Sequence, residues 1–261
     1  MNPGKELKEI FFEAKRLISA CEEMGLEPPR LPRGALDFME RPVLQKPILK
    51  KPVFPPTQPE NPEIAIPENQ PTSPRFDSLK TLKAHLENCR RCGLYGGRTN
   101  LVFGEGNPKA KLVFVGEGPG FDEDQAGRPF VGKSGQLLTR IIENGMGLKR
   151  ESVYICNVVK CRPPGNRDPN PDEISVCLPF LKAQLSIIGP QVICALGRVA
   201  CQALLGSAFR ITRDRGHWRT YEGIPLMPTF HPAYLLRNPA AKRPVWDDVK
   251  SIMEKLGLEV K

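Results

Sequence analysis

The segment KLVFVGEGPG, residues 111–120, runs from a short apolar stretch straight into a turn rich in glycine and proline. The run is too short for a typical helix and is bounded by turn residues, which predicts a buried strand over about 111–116. The same grammar repeats downstream. ESVYICNVVKC predicts a second strand at about 152–159, QVICALG a third, and GIPLMPTF a fourth that leads into HPAYLLR. Between and after them lie helical patterns: GKSGQLLTRIIENGMG, closed by glycine; PDEISVCLPFLKAQLSIIG, with Asp172 and Glu173 in its first turn; RVACQALLG; and a terminal RPVWDDVKSIMEKLG. Strands alternating with helices predict an α/β fold, a three-layer α/β/α sandwich around a mostly parallel four-stranded sheet.

Upstream of this domain the material changes. Residues 1–75 carry 11 basic and 11 acidic side chains, whereas residues 76–261 carry 27 and 18, so the whole formal charge of +9 lies in the second part. Of the 47 residues from Pro28 to Pro74, 13 are proline, a density that excludes a helix or central strand and predicts an extended linker. Before it, Leu7, Ile10, Phe11, Ala14, Leu17, Ile18 and Cys21 recur at helical spacing. The expected organisation is an amphipathic helix in residues 1–25, a flexible linker in 26–75 and a catalytic domain in 76–261. The helix either packs back on that domain or docks a partner protein; its face is too weakly cationic to favour a membrane. No run approaches a membrane span and no signal peptide is evident, so a cytoplasmic monomer is expected, and the net positive charge favours an anionic partner.

In a sheet of this kind ligands bind at the carboxyl ends of the strands. There fall GEGPG, Asn157 with KCRPPGNRDPN, and HPAYLLR. GEGPG is not the dinucleotide-binding GxGxxG, and VGKSG lacks the preceding glycine frame of a phosphate loop. Cysteine usage adds a second signal. Cys89 and Cys92 form C-x2-C, and Cys161 and Cys177 flank the segment CRPPGNRDPNPDEISVC in loop or helix-start contexts, so four thiolates from two distant loops are available to one centre. Spacing alone leaves an iron–sulfur cluster, zinc or no metal open, because the second pair lacks tight knuckle spacing. Cys156, Cys194 and Cys201 sit in apolar patterns and read as buried thiols, and Cys21 lies on the N-terminal stripe.

Together, Cys89-x2-Cys92, GEGPG (116–120), GRPFVGKSG (127–135), NVVKCRPPGNRDP (157–169), Cys177 and HPAYLL (231–236) closely resemble the iron–sulfur uracil-DNA glycosylases of bacteria and archaea, usually called family 4. The likeness spans about residues 80–257. It implies a uracil-DNA glycosylase-like fold, release of uracil from single- or double-stranded DNA in base excision repair, and one [4Fe-4S] cluster on Cys89, Cys92, Cys161 and Cys177. The family's usual first motif is GEAPG. Gly118 here replaces Ala, which removes a methyl group and leaves the class intact.

On that resemblance, Glu117 and His231 are the candidate catalytic residues, and Gly118, Phe130 and Asn157 join them around the uracil. Asn157 can accept from N3–H and donate to O4, the reverse of what cytosine offers. Phe130, otherwise an ordinary core residue, becomes the stacking wall. Glu117, otherwise a surface carboxylate, positions water or stabilises positive charge on the sugar. His231, otherwise a structural histidine before proline, directs an N–H at O2. Leu235 or Leu236 supplies a wedge for the emptied stack. Lys133, Lys160, Arg167, Arg213, Arg215 and Arg237 are candidate phosphate contacts. The competing readings are a broader deaminated-base glycosylase and a catalytically silent DNA-binding protein.

Overall fold

A computed structural model of the chain describes residues 76–259. The expected N-terminal helix and proline-rich linker lie outside the described residues. The sheet has six strands rather than four, in the order β1-β3-β2-β4-β6-β5, with β1 Glu105–Gly106, β2 Leu112–Gly116, β3 Tyr154–Asn157, β4 Val192–Leu196, β5 Arg219–Tyr221 and β6 Ile224–Thr229. The four expected strands form its parallel centre, β3-β2-β4-β6. The two additions are short antiparallel edges of two and three residues, too brief and too polar to carry an apolar signal.

Helices cover both faces. They are α1 Leu79–Leu86, α2 Phe121–Ala126, α3 Lys133–Arg140, α4 Pro171–Ile188, α5 Gly197–Leu205, α6 Ile211–Asp214, α7 Pro232–Arg237 and α8 Lys242–Lys255. Alternation along β2 sorts the layers: Val113 and Val115 pack with Leu181 and Leu185 of α4 and Ala200 and Leu204 of α5, while Leu112 and Phe114 pack with Leu138 of α3 and Val249 and Ile252 of α8. Smaller α1 buries Leu82 and Leu86 against Phe103 and Phe180. The start of α4 is fixed where its sequence predicts, the Asn170 N–H donating to Glu173 Oε2 at 2.7 Å. Among the described residues no helix is long and apolar enough to cross a membrane.

Strand register sets up the functional end. Gly116 pairs with Asn157, and beyond the ladder Val158 N–H and Val159 N–H donate to the carbonyls of Gly116 and Glu117 at 2.9 and 3.1 Å. The GEGPG turn and the Asn157 segment therefore leave the sheet side by side. On the other flank Leu196 pairs with Thr229, bringing Gly197 against the backbone that enters His231.

Candidate base-binding pocket and thiolate centre

A cavity of about 410 Å³ opens at the carboxyl ends of β2, β3 and β6 and is lined by Glu117, Gly118, Phe130, Asn157, His231 and Arg237, among others. All five expected base-binding residues converge there, from four separate segments. Glycines make this convergence possible. A Cβ on Gly116 would collide with Asn157 Oδ1 and the Phe130 ring, and one on Gly135 would collide with the Phe130 backbone. Phe130 itself holds a left-handed backbone at φ 55°, a conformation an aromatic residue adopts only under constraint. The constraint is visible. Glu123, mostly buried, accepts from Val131 and Gly132 N–H at 2.9 Å and from Gly120 N–H at 3.1 Å, while Arg150 donates to the Pro129 carbonyl at 2.7 Å and to Glu105. One carboxylate thus ties the GEGPG turn to the loop that aims Phe130.

Asn157 is buried, and its Oδ1 has no hydrogen-bond partner. A fully buried amide oxygen left unpaired is costly unless a ligand completes it. Across the pocket His231 caps α7, its Nδ1 accepting from Ala233 N–H at 3.2 Å. That bond leaves the ring proton on Nε2. Burial, and then the positive charge of Arg237, push the imidazole down to about 4, so it is neutral at pH 7. Its ring lies 5.5 Å from that of Phe130. Glu117 is displaced in the opposite sense, up to about 7, by burial and by the charge of the neighbouring Asp168 carboxylate, against a smaller opposing pull from Arg198. Asp168 is in turn ion-paired with Arg198.

The absent methyl at Gly118 is not open space. A Cβ there would lie 2.7 Å from Val159 Cγ2, so valine fills the volume.

The structure corrects several expected DNA contacts. Leu235 is 1% exposed and packs in the core, whereas Leu236 is 44% exposed at the same rim, so only Leu236 is free to act as a wedge. Lys160 is buried, its Nζ donating to the Asn157 carbonyl at 2.6 Å and to Gln184 Oε1 at 2.5 Å, and cannot reach phosphate. Arg215 is committed to Asp248 and the Pro244 carbonyl and lies over Phe230. Arg213 is exposed but paired with Asp214 and is not among the pocket-lining residues. Arg167 lines the pocket yet forms a two-pronged pair with Glu173 at 2.7 and 2.9 Å. Lys133 is exposed at the start of α3, and Arg237 is exposed on the pocket wall.

The four expected ligand cysteines also come together. Cys89, Cys92, Cys161 and Cys177 line one small cavity beside α1 and α4. Arg98 donates to Cys161 Sγ at 3.2 Å, and Lys160 lies close enough to Cys161 and Cys177 to interact with them electrostatically. A guanidinium turned toward a thiol suits an anionic centre. Four thiolates from two segments suit either a sulfur-ligated iron cluster or a tetrahedral zinc.

A mostly parallel sheet that ends in a pocket for one planar, hydrogen-bonding ring, framed by a rim of cations, defines an enzyme that encloses a single heterocyclic base. The chain belongs to the uracil DNA glycosylase superfamily, whose family model matches residues 103–250. It is 47% identical over 192 residues to a type-4 uracil-DNA glycosylase of Thermotoga maritima, covering 70% of this chain and 98% of that one. It is 47% identical to a type-4 uracil-DNA glycosylase of Sulfurisphaera tokodaii over 69% and 85% of the two chains, and 35% identical to a type-5 uracil-DNA glycosylase of Thermus thermophilus over 50% and 68%.

Glu123, Asp168, Arg198 and Arg150 escaped the sequence reading. Two of them left a trace there: Asp168 lies inside the quoted motif NVVKCRPPGNRDP, and Glu123 is a carboxylate three residues after the last glycine of GEGPG, where a reciprocal cap is plausible chemistry.

Proposed function

We propose that this chain hydrolyses the N-glycosidic bond of deoxyuridine in DNA, releasing uracil and leaving an abasic site, as the opening step of base excision repair. The observation that carries the reading is the buried, unpartnered Asn157 Oδ1 facing the same cavity as the neutral His231. Uracil completes both: N3–H donates to Oδ1, the amide nitrogen donates to O4, and His231 Nε2–H donates to O2 as the departing base gains negative charge. Cytosine has no proton on N3 and presents a donor where O4 would be, so it leaves Oδ1 unpaired. Phe130 supplies the stacking face. Glu117, in its ionised form, orients the water that attacks C1′ and stabilises the positive sugar; water contributes hydroxide to C1′ and the uracil anion takes up the remaining proton. Among the described residues no lysine lines the pocket, which agrees with hydrolysis and not with a Schiff base or strand cleavage. Leu236 fills the vacated stack, while Arg237 and Lys133 contact phosphates.

Cys89, Cys92, Cys161 and Cys177 are proposed to hold one [4Fe-4S] cluster, which supplies a cross-link between the 89–100 segment and the segment running from β3 into α4. The catalytic domain is assigned to residues 76–261, with the N-terminal 75 residues as a tether able to take a protein partner.

A panel of oligonucleotides carrying uracil, hypoxanthine, xanthine, thymine or cytosine at one position tests the assignment. Release of uracil far above the rest is expected; comparable release of hypoxanthine would replace the narrow activity with a broader one, and binding without release by stoichiometric protein would remove the enzyme.

A further inference from the structure

The pocket mouth has two rims, and the mechanism uses one. The α7 rim carries Tyr234, Leu236 and Arg237. On the other, Phe121 follows the pocket-lining Gly120 and Arg162 precedes the pocket-lining Pro163. Phe121 is 54% exposed, the most exposed large apolar side chain among the described residues, and belongs to none of the three core clusters. The Arg162 guanidinium lies 5.0 Å above the centre of its ring. Arg162 is held there because its Nε donates to Asn166 Oδ1 at 2.7 Å, and Asn166 keeps a left-handed backbone at φ 55° directly after Gly165 at φ 62°. Among the described residues no carboxylate pairs with Arg162, unlike Arg150, Arg167, Arg198 and Arg215. A constrained loop that presents an unpaired cation and a bare aromatic ring does nothing for the core.

We propose that Phe121 and Arg162 form a nucleotide platform: the base next to the extruded uracil stacks on Phe121, and the adjoining phosphate accepts from the remaining Arg162 N–H groups. Aromatic stacking with a neighbouring guanidinium is a sequence-tolerant way to hold unpaired nucleotides. A duplex neighbour remains stacked on its own strand, so the occupant is single-stranded DNA. This platform rests on the uracil-DNA reading and extends it from the base to its flank.

The test uses the full chain, with a single-stranded oligonucleotide that carries a 2′-fluoro deoxyuridine, which resists hydrolysis, beside 2-aminopurine. For wild type, binding is expected to quench the 2-aminopurine emission. F121A and R162M are each expected to weaken single-strand binding, F121A by about tenfold with loss of the quench, while F121W preserves both. Duplex affinity is expected to change less, and the single-turnover rate on saturating uracil DNA to stay within about twofold of wild type, because neither side chain touches the pocketed base. Wild-type affinity and quench in F121A would overturn the platform, as would equal losses on single- and double-stranded DNA. Failure of wild type to release uracil at all would instead strike the underlying reading, since the binding and quench measurements use uncleaved DNA.

Discussion

His231 has its chemistry fixed by two neighbours. The Ala233 N–H occupies Nδ1 and leaves Nε2–H free, while burial and Arg237 keep the ring neutral. His231→Ala is expected to lower the single-turnover rate by about 10²–10³-fold, the usual loss for one charge-stabilising donor, with most DNA affinity kept. Near wild-type rates would reject the role. Glu117 gives a pH signature. Its ordinary value near 4.5 is raised to about 7, so the ionised form required for water positioning grows in as pH rises through neutrality. The kcat/KM profile is expected to climb across that range, and Glu117→Gln to lower the rate and remove the inflection. A flat wild-type profile from pH 5.5 to 8.5 would contradict the assignment. Asn157→Asp is expected to reduce the uracil-to-cytosine discrimination, because the amide donor to O4 is lost. At this scale the sequence is most legible where a side chain has one obvious use, as with Asn157 and His231. It misleads where an unseen partner decides: Lys160 reads as a DNA contact until Gln184, 24 residues later, is brought beside it.

The strand ends and their glycines form the next level of control. Gly116 is the closing residue of β2 and also the space in which Asn157 Oδ1 and the Phe130 ring meet. Gly116→Ala is expected to destabilise the fold by about 1–3 kcal/mol and to lower the single-turnover rate at least tenfold, measured by thermal denaturation and rapid quench. Full activity in that variant would mean that the pocket is looser than its packing indicates. Hydrophobic runs revealed β2, β3, β4 and β6 because each is buried on both faces. They could not reveal β1 and β5, which are short edges, nor α2, whose FDEDQA is polar and whose position comes from Glu123 reaching back to Gly120. Gly118 shows the same limit. The sequence registers a missing methyl, while only the fold shows that Val159 occupies its place.

For the whole molecule, the two chemically distinct sites share one segment. Asn157 reads the base, Lys160 three residues on grips the Asn157 carbonyl, and Cys161 joins the thiolate centre. On the proposed reading, a cluster there would brace the pocket through this segment. Protein purified anaerobically is expected to absorb broadly near roughly 400 nm with about four irons per chain, and removal of the cluster to lower the melting temperature. A colourless protein with one zinc would overturn that assignment. Of the 27 cations in residues 76–261, Arg167, Arg198 and Arg215 are held by carboxylates, so on the proposed reading DNA is met chiefly by Arg162, Arg237 and Lys133. Hydrolysis by this pocket is tested by an anaerobic single-turnover assay with cluster-loaded protein on matched single- and double-stranded oligonucleotides bearing uracil or cytosine. Free uracil and an intact strand with an alkali-labile abasic site are expected, with no release of cytosine; no release of uracil by stoichiometric protein would contradict glycosidic hydrolysis by this chain.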